Sequence, residues 1–307
     1  MSCALSPAER AQMVGSAQAK FDAIRVDYPP QTSAMAILDE VRIAGLHRSR
    51  GSVCGGAMMV APHGTGKTEA VRGLRRILAQ SAADGEIPLL HVYIDTAGTT
   101  DSVPTSMLQA LGAARPEAGS EKTRWPRVTS EIIHRRVQLI VFDEFNRASR
   151  RPSMSAPIAT IIRQKIMDSG LAPVVFVGSE NAASVLAQVP ELRERLDDSA
   201  DLRPMNWYSK GDRALFVDFA ADLDRAMVEA GIVACEAGLG EEAFAKPLWE
   251  ASSGRLRRII KIVRQAMTSA LRDGRGNIDR EDLACAVDDY VIAYGFCEHN
   301  PFLSGSK

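Results

Sequence analysis

No Cys-x-x-Cys pair occurs in these 307 residues, and the five cysteines (Cys3, Cys54, Cys235, Cys285 and Cys297) stand far apart. That scatter excludes a zinc ribbon or a disulfide framework and points to small buried thiols in a reducing compartment. An excess of either charge is also missing: 37 Lys and Arg against 38 Asp and Glu leave a net charge of −1 and a pI near 6.5. No global basic field draws this chain to nucleic acid, so any such contact has to come from local patches. No apolar run reaches the roughly 20 residues that span a bilayer. The N-terminus shows neither the charged start nor the apolar stretch of a secretory signal. A cytoplasmic protein with no membrane partner is therefore expected. Repeats and low-complexity tracts are absent as well. What remains is ordinary globular composition, 46% hydrophobic and 24% charged, on a chain long enough for a full core and two domains.

The most informative stretch is Met58-Met59-Val60-Ala61-Pro62-His63-Gly64-Thr65-Gly66-Lys67-Thr68-Glu69-Ala70-Val71. An apolar run ends in a glycine-bearing turn, and a helical pattern begins straight after it, the layout of a P-loop. Gly64 and Gly66 let backbone N–H groups approach phosphate oxygens without a Cβ in the way, and the helix start adds its positive end at the same place. Pro62, His63, Gly64, Thr65, Gly66, Lys67, Thr68 and Glu69 make up the candidate nucleotide site. Lys67 would reach the β- and γ-phosphates of ATP, and the Thr68 hydroxyl would ligate Mg²⁺. Where G-x-x-x-x-G-K-[ST] opens on glycine, this chain has Ala61. Pro62 pushes that residue toward extended geometry, so a strand-exit residue with negative φ suffices.

Ser6-Pro7-Ala8-Glu9 has the form of a helix start, and the helix runs to about Ile24 before Asp27-Tyr28-Pro29-Pro30 breaks it. Ser33 is the expected cap of a second helix carrying Ile37, Leu38, Val41 and Leu46 at helical spacing. Strands are expected near 57–60, 89–95, 139–142 and 173–177, with a fifth near 202–207. The continuous apolar run Leu139-Ile140-Val141-Phe142 reads as a strand buried on both faces of a parallel sheet. Helical patterns between the strands imply a doubly wound α/β core of five parallel strands. After Ser209 only helical patterns follow. The expected partition is an N-terminal helical segment over 1–50, an α/β core over 51–208, and an all-helical domain with a tail over 209–307.

The second motif is Leu139-Ile140-Val141-Phe142-Asp143-Glu144, whose buried strand delivers two carboxylates at its end. Asp143 would hold Mg²⁺ through water, and Glu144 would polarise the attacking water. Two arginine clusters, Arg124, Arg127, Arg135 and Arg136, and Arg147, Arg150 and Arg151, are the local basic patches.

Here the chain resembles a family. Ala-Pro-His-Gly-Thr-Gly-Lys-Thr differs at two places from the common AAA+ loop Gly-Pro-Pro-Gly-Thr-Gly-Lys-Thr, and Phe142-Asp143-Glu144 looks like the AAA+ Walker B. More narrowly, the chain is similar to the transposon-encoded AAA+ regulators of the TniB and TnsC type. The residues behind this are Val141-Phe142-Asp143-Glu144, Val175-Phe176-Val177-Gly178-Ser179-Glu180-Asn181-Ala182, Leu192-Arg193-Glu194-Arg195-Leu196, Asn206-Trp207 and Asn300-Pro301-Phe302. The resemblance implies a P-loop NTPase of AAA+ type, a parallel five-stranded core with a C-terminal helical lid. It implies Ser179 as sensor 1, with Asn181 as rival. Arg195 is the implied finger reaching a neighbour's γ-phosphate, with Arg193 as its rival because Leu196 replaces the usual aromatic. Arg257 is the implied sensor 2. The segment bearing Arg147, Arg150 and Arg151 resembles the pore loops of AAA+ DNA binders. The implied partners are copies of itself in a ring or filament, double-stranded DNA, a transposase or integrase, and a target-selection protein. Two other readings stay open: a nucleotide-gated scaffold with negligible turnover, and an AAA+ switch acting on protein partners without DNA.

Overall fold

The computed structural model describes residues 6–49, 51–94, 99–150, 152–198 and 201–303. They fall into two compact units, Met1–Tyr28 with Pro204–Lys307, and Pro29–Arg203. The expected N-terminal segment is thus divided, with helix α1 (Pro7–Ala23) in the first unit and α2 (Pro29–Leu46) in the second. The sequence places the end of α1 correctly. Its capping box is formed, with the Glu9 N–H donating to Ser6 Oγ and the Ser6 N–H to Glu9 Oε2. Helix α2 opens at Pro29, four residues before the expected cap at Ser33, because proline is pre-set for a first helical turn, where its missing N–H costs nothing.

The Pro29–Arg203 unit alternates strands and helices. After α2 come β1 (Gly56–Val60), α3 (Lys67–Gln80), β2 (Leu89–Tyr93), α4 (Ser102–Ala110), α5 (Glu121–His134) and β3 (Leu139–Asp143). A 3₁₀ turn (Phe145–Arg150), α6 (Pro152–Ile162) with a π-helical end (Arg163–Met167), and β4 (Val174–Gly178) follow, then α7 (Glu180–Ala187), α8 (Pro190–Arg193) and β5 (Leu196–Asp198). The five strands form one parallel sheet in the order β2-β3-β4-β1-β5. Every residue of β3 and β4 is buried, which accounts for their unbroken apolar runs. Register brings Val60 level with Gly178 and Asp143 level with Tyr93, so the C-terminal ends of these strands open on one edge. In open α/β sheets ligands bind at that edge.

The fifth strand corrects the sequence reading. It is Leu196–Asp198, three residues paired with β1, and 202–207 forms no strand. The backbone of Met205 is spent elsewhere: its N–H donates to Gly254 O (3.0 Å) and its carbonyl accepts from Trp249 Nε1 (2.7 Å). Pro204 beside it has no N–H to give a ladder. At Gly56 an added Cβ would meet Val174 O at 2.0 Å and the Leu196 side chain at 3.1 Å, so only glycine lets β4 and β5 close on β1.

The other unit is helical: α1 with α9 (Lys210–Glu229), α10 (Glu242–Ser252), α11 (Leu256–Arg272) and α12 (Arg280–Ala286), which ends in a π-helical turn (Val287–Ile292). Its loop after α9 is held by buried Asp224, which accepts from the N–H groups of Ala237, Gly238 and Leu239 at 2.8–3.0 Å. No helix of the described residues is long and apolar enough to cross a membrane.

Candidate nucleotide site

The turn after β1 has the conformation that phosphate binding needs. Gly64 (φ 81°) and Gly66 (φ 100°) are left-handed, and Gly66 caps α3 without a side-chain hydrogen bond to the helix N-terminus. Among the described residues, positive φ outside glycine occurs at Arg115, Arg136, Glu144 and Ser253. Ala61 is not one of them. It continues the strand, its N–H donating to Gly178 O at 3.1 Å, so the missing leading glycine leaves the turn intact. Buried Lys67 places Nζ 2.6 Å from Ala61 O and 2.8 Å from Pro62 O. Thr65 is buried with its hydroxyl donating to Pro62 O (3.1 Å), while His63 lies exposed at the tip of the turn. Glu69 turns away to Arg76 (2.9 Å). Gln31 on α2, which belongs to no motif in the sequence, donates to Gly66 O at 3.0 Å and props the turn from the side.

β3 brings its carboxylates to this turn. Thr68 Oγ1 donates to Asp143 Oδ2 at 2.9 Å, so the two residues expected to hold a cation already touch. His91 Nε2 lies 3.0 Å from the same oxygen, and Oδ1 accepts the Glu144 N–H at 2.8 Å. Burial pushes the Asp143 carboxyl up, but the hydrogen bonds from His91, Thr68 and the Glu144 N–H outweigh it and hold it below its ordinary value. Among the described residues no three His, Cys, Asp or Glu side chains converge as a metal cage. An oxygen pair of this kind suits Mg²⁺, which keeps waters and takes further ligands from phosphates.

Glu144 differs from its neighbour in every respect. It is left-handed (φ 55°), a third exposed, and held by Asn146 Nδ2 (3.4 Å from Oε2) and Arg147 Nε (4.0 Å). Asn146 also accepts the Ser179 N–H on Oδ1 (3.3 Å), which joins the end of β4 to the Glu144 turn. Ser179 is thus linked to Glu144 through Asn146, whereas Asn181 is exposed on the first turn of α7.

The remaining residues have other surroundings. Arg195 pairs with Asp168, which Arg163 also approaches (3.7 Å), and Arg193 donates to Leu196 O (2.8 Å). Arg257 lies exposed on α11, in the helical unit. The first arginine cluster is structural: Arg124 is buried and holds Asp101 and Gly119 O, Arg127 holds the carbonyls of Ala114 and Ala118, and Arg136 pairs with Glu86 (2.7 Å). Of the second, Arg147 faces Glu144 and Ile94 O, the backbone of Arg150 closes the 3₁₀ turn, and Arg151 lies outside the described residues.

Comparison with known proteins agrees with this geometry. Residues 49–186 match the family model of the AAA domain. The ATP-dependent zinc metalloprotease FtsH of Acidothermus cellulolyticus is 25% identical over 291 residues, which is 92% of this chain and 38% of that protein. The chain thus spans about two-fifths of that relative's length, and none of its five histidines is followed by the glutamate of a His-Glu-x-x-His zinc motif. Among solved structures, the Aeropyrum pernix ORC2 protein superposes with a TM-score of 0.60 at 15% identity, covering 89% of this chain and 70% of that one. The Aeropyrum pernix ORC1 protein in complex with DNA gives 0.59 at 18%, covering 84% and 65%. Cdc6p from Pyrobaculum aerophilum gives 0.59 at 16%, covering 89% and 71%. Residues 49–186 are thus similar to an AAA domain, a P-loop nucleotide-binding module, and the chain has the five-stranded parallel sheet typical of the AAA+ core followed by a helical C-terminal region.

Proposed function

We propose that this chain is an ATP-hydrolysing AAA+ protein that assembles with copies of itself on double-stranded DNA and regulates transposition through a transposase or integrase. The observation that carries the hydrolytic part is the Thr68–Asp143 contact at the end of β3, with a second, loosely held carboxylate, Glu144, next in the chain. Lys67 and the N–H groups of the turn bind the phosphates, exchanging the Ala61 and Pro62 carbonyls for phosphate oxygens. Thr68 and Asp143 hold Mg²⁺, which neutralises phosphate charge when bound. Glu144 orients a water against the γ-phosphorus and takes its proton as the bond to the leaving ADP oxygen breaks. Ser179 contacts the γ-phosphate from the end of β4, Arg257 takes the sensor-2 role that the resemblance implies, and Arg195 leaves Asp168 to reach a neighbour's nucleotide.

DNA contact rests on Arg147, Arg150 and Arg151 and on a shared fold with a protein solved in complex with DNA. The transposition role rests on the sequence resemblance to the TniB and TnsC type. With a net charge of −1 a single copy binds duplex weakly, and repetition of a small basic patch in an oligomer multiplies the contacts.

The test is ATP turnover with and without duplex DNA, together with binding measured at several salt concentrations. Turnover raised by DNA, and binding that needs ATP and is cooperative, is the expected result. Each phosphate contact contributes about −0.9 to the slope of log affinity against log salt, so Arg150→Ala with Arg151→Ala should flatten that slope. Nucleotide binding without turnover supports a gated scaffold instead, and turnover indifferent to DNA supports a switch acting on protein partners.

A further inference from the structure

β2 buries a histidine among apolar residues. Its strand neighbours Leu89, Leu90 and Val92 are buried, and the His91 side chain is itself 2% exposed. An imidazole in such a place costs stability unless its ring nitrogens are satisfied. The parallel register pairs His91 with Val141, and Asp143 lies two residues further along β3, on the same face. His91 Nε2 thereby reaches Asp143 Oδ2 at 3.0 Å. An ionised carboxylate only accepts, so Nε2 carries the proton and the imidazole donates. Tyr93 packs on the ring at 4.6 Å between centroids and restrains its tilt.

We propose that His91 is a positioning residue for the cation site: it fixes the Asp143 carboxylate so that Oδ2 is shared with Thr68 and the affinity for a divalent cation depends on this buried donor. The proposal rests on the reading of Thr68 and Asp143 as the residues that hold Mg²⁺. Two donors on Oδ2, from His91 and Thr68, and one on Oδ1, from Glu144, stop the carboxylate turning about its terminal bond. Of about four acceptor positions on the carboxylate, one stays open for a further donor such as a cation-bound water. Without His91, the Thr68 hydroxyl alone holds Oδ2, and a hydroxyl that must also face a cation is a poor anchor. Hydrogen-bond partners of this kind are worth about 10–100-fold in metal affinity.

The experiment uses the full chain and a fluorescent ATP analogue, with analogue affinity measured in EDTA and the half-saturating Mg²⁺ concentration measured for the increase above it. His91→Phe should raise the half-saturating Mg²⁺ by about 10-fold or more and leave the affinity in EDTA within about twofold, and His91→Gln, which keeps a donor, should restore most of the loss. An unchanged Mg²⁺ dependence in His91→Phe overturns the proposal. So does an equal loss of affinity in EDTA, which would mean a general distortion of the turn. Failure of the wild-type chain to bind the analogue at all is a distinct result, and overturns the nucleotide-site reading together with this one. Should His91→Phe not fold, ¹⁵N resonances of the wild-type imidazole decide: Nε2–H is expected, and an Nδ1–H tautomer refutes the proposal.

Discussion

Glu144 is the residue where function and stability should separate most cleanly. Its φ of 55° places a side chain with a Cβ in the left-handed region, at a cost of about 1–2 kcal/mol. The chain is forced there because the Glu144 N–H is drawn to Asp143 Oδ1 (2.8 Å) while its carbonyl starts the next turn by accepting the Arg147 N–H (2.8 Å). Glu144→Ala and Glu144→Gly remove the same carboxylate and the same contacts to Asn146 and Arg147. They differ only in the backbone: alanine keeps the strain and glycine escapes it, less about 0.4–1 kcal/mol for the looser unfolded chain. Glu144→Gly should therefore be the more stable of the two by roughly 0.5–1 kcal/mol, about 1–2 °C in melting temperature. At an ordinary site the order is reversed. Glu144→Gln keeps both shape and strain, so it should melt like the wild type, bind ATP at least as well and hydrolyse it far more slowly, trapping the assembled state. Thermal melts read the first comparison and single-turnover phosphate release the second. A glycine variant less stable than the alanine variant would show that Glu144 stores no strain, and normal turnover by Glu144→Gln would place the base elsewhere.

Lys67→Ala leaves the Ala61 and Pro62 carbonyls without their ammonium, which should cost about 1–3 kcal/mol of stability without loss of the fold. ATP binding by calorimetry should disappear, and near-normal affinity would remove Lys67 from the phosphate site. Arg195→Ala frees Asp168 but touches no group of its own subunit's P-loop, so ATP binding by isolated subunits should persist while oligomer-stimulated turnover falls by about 10³. Mixing Arg195→Ala with Lys67→Ala subunits should restore some turnover, and rescue seen only with Arg193→Ala would move the finger two residues upstream.

Local chemistry makes much of this architecture legible in the sequence. Ser6 and Glu9 announce α1 through a capping box, the P-loop announces its own strand-turn-helix frame, and the apolar run 139–142 announces a strand covered on both faces. Elements defined by their partners were not legible. β5 has three residues and exists because Gly56 lets Leu196 close on β1, which no periodicity in 196–198 reveals. Arg124 belongs to a basic cluster in the sequence, yet it is the buried pin of the loop between α4 and α5. His91 and Asp143 are 52 residues apart, and Gln31 and Gly66 are 35 apart. Their contacts follow from sheet register and helix docking, which a linear reading does not contain. The one faint signal is a histidine in a strand otherwise built of Leu, Val and Tyr.

Two adjacent carboxylates are assigned different tasks here, and their surroundings supply the reason. Asp143 is 1% exposed and receives three hydrogen bonds, whereas Glu144 is 33% exposed and meets one amide at 3.4 Å and one guanidinium at 4.0 Å. A cation ligand has to be charged and fixed before the cation arrives, and Asp143 is both. Its carboxyl lies below the ordinary 3.8, so the stabilisation it contributes is present above that value and is lost only as pH falls through the lower folded one. At neutral pH the site is therefore preformed. A group that takes a proton from water has to move with the reacting water and stay accessible, which a carboxylate locked by three donors cannot do. Glu144 can, because its side chain is a third exposed and loosely held by Asn146 and Arg147. Exchanging the two, Asp143→Glu with Glu144→Asp, would preserve charge and composition yet put the longer side chain where space is filled by His91 and Thr68. The division of labour belongs to the positions, and the residues fit them.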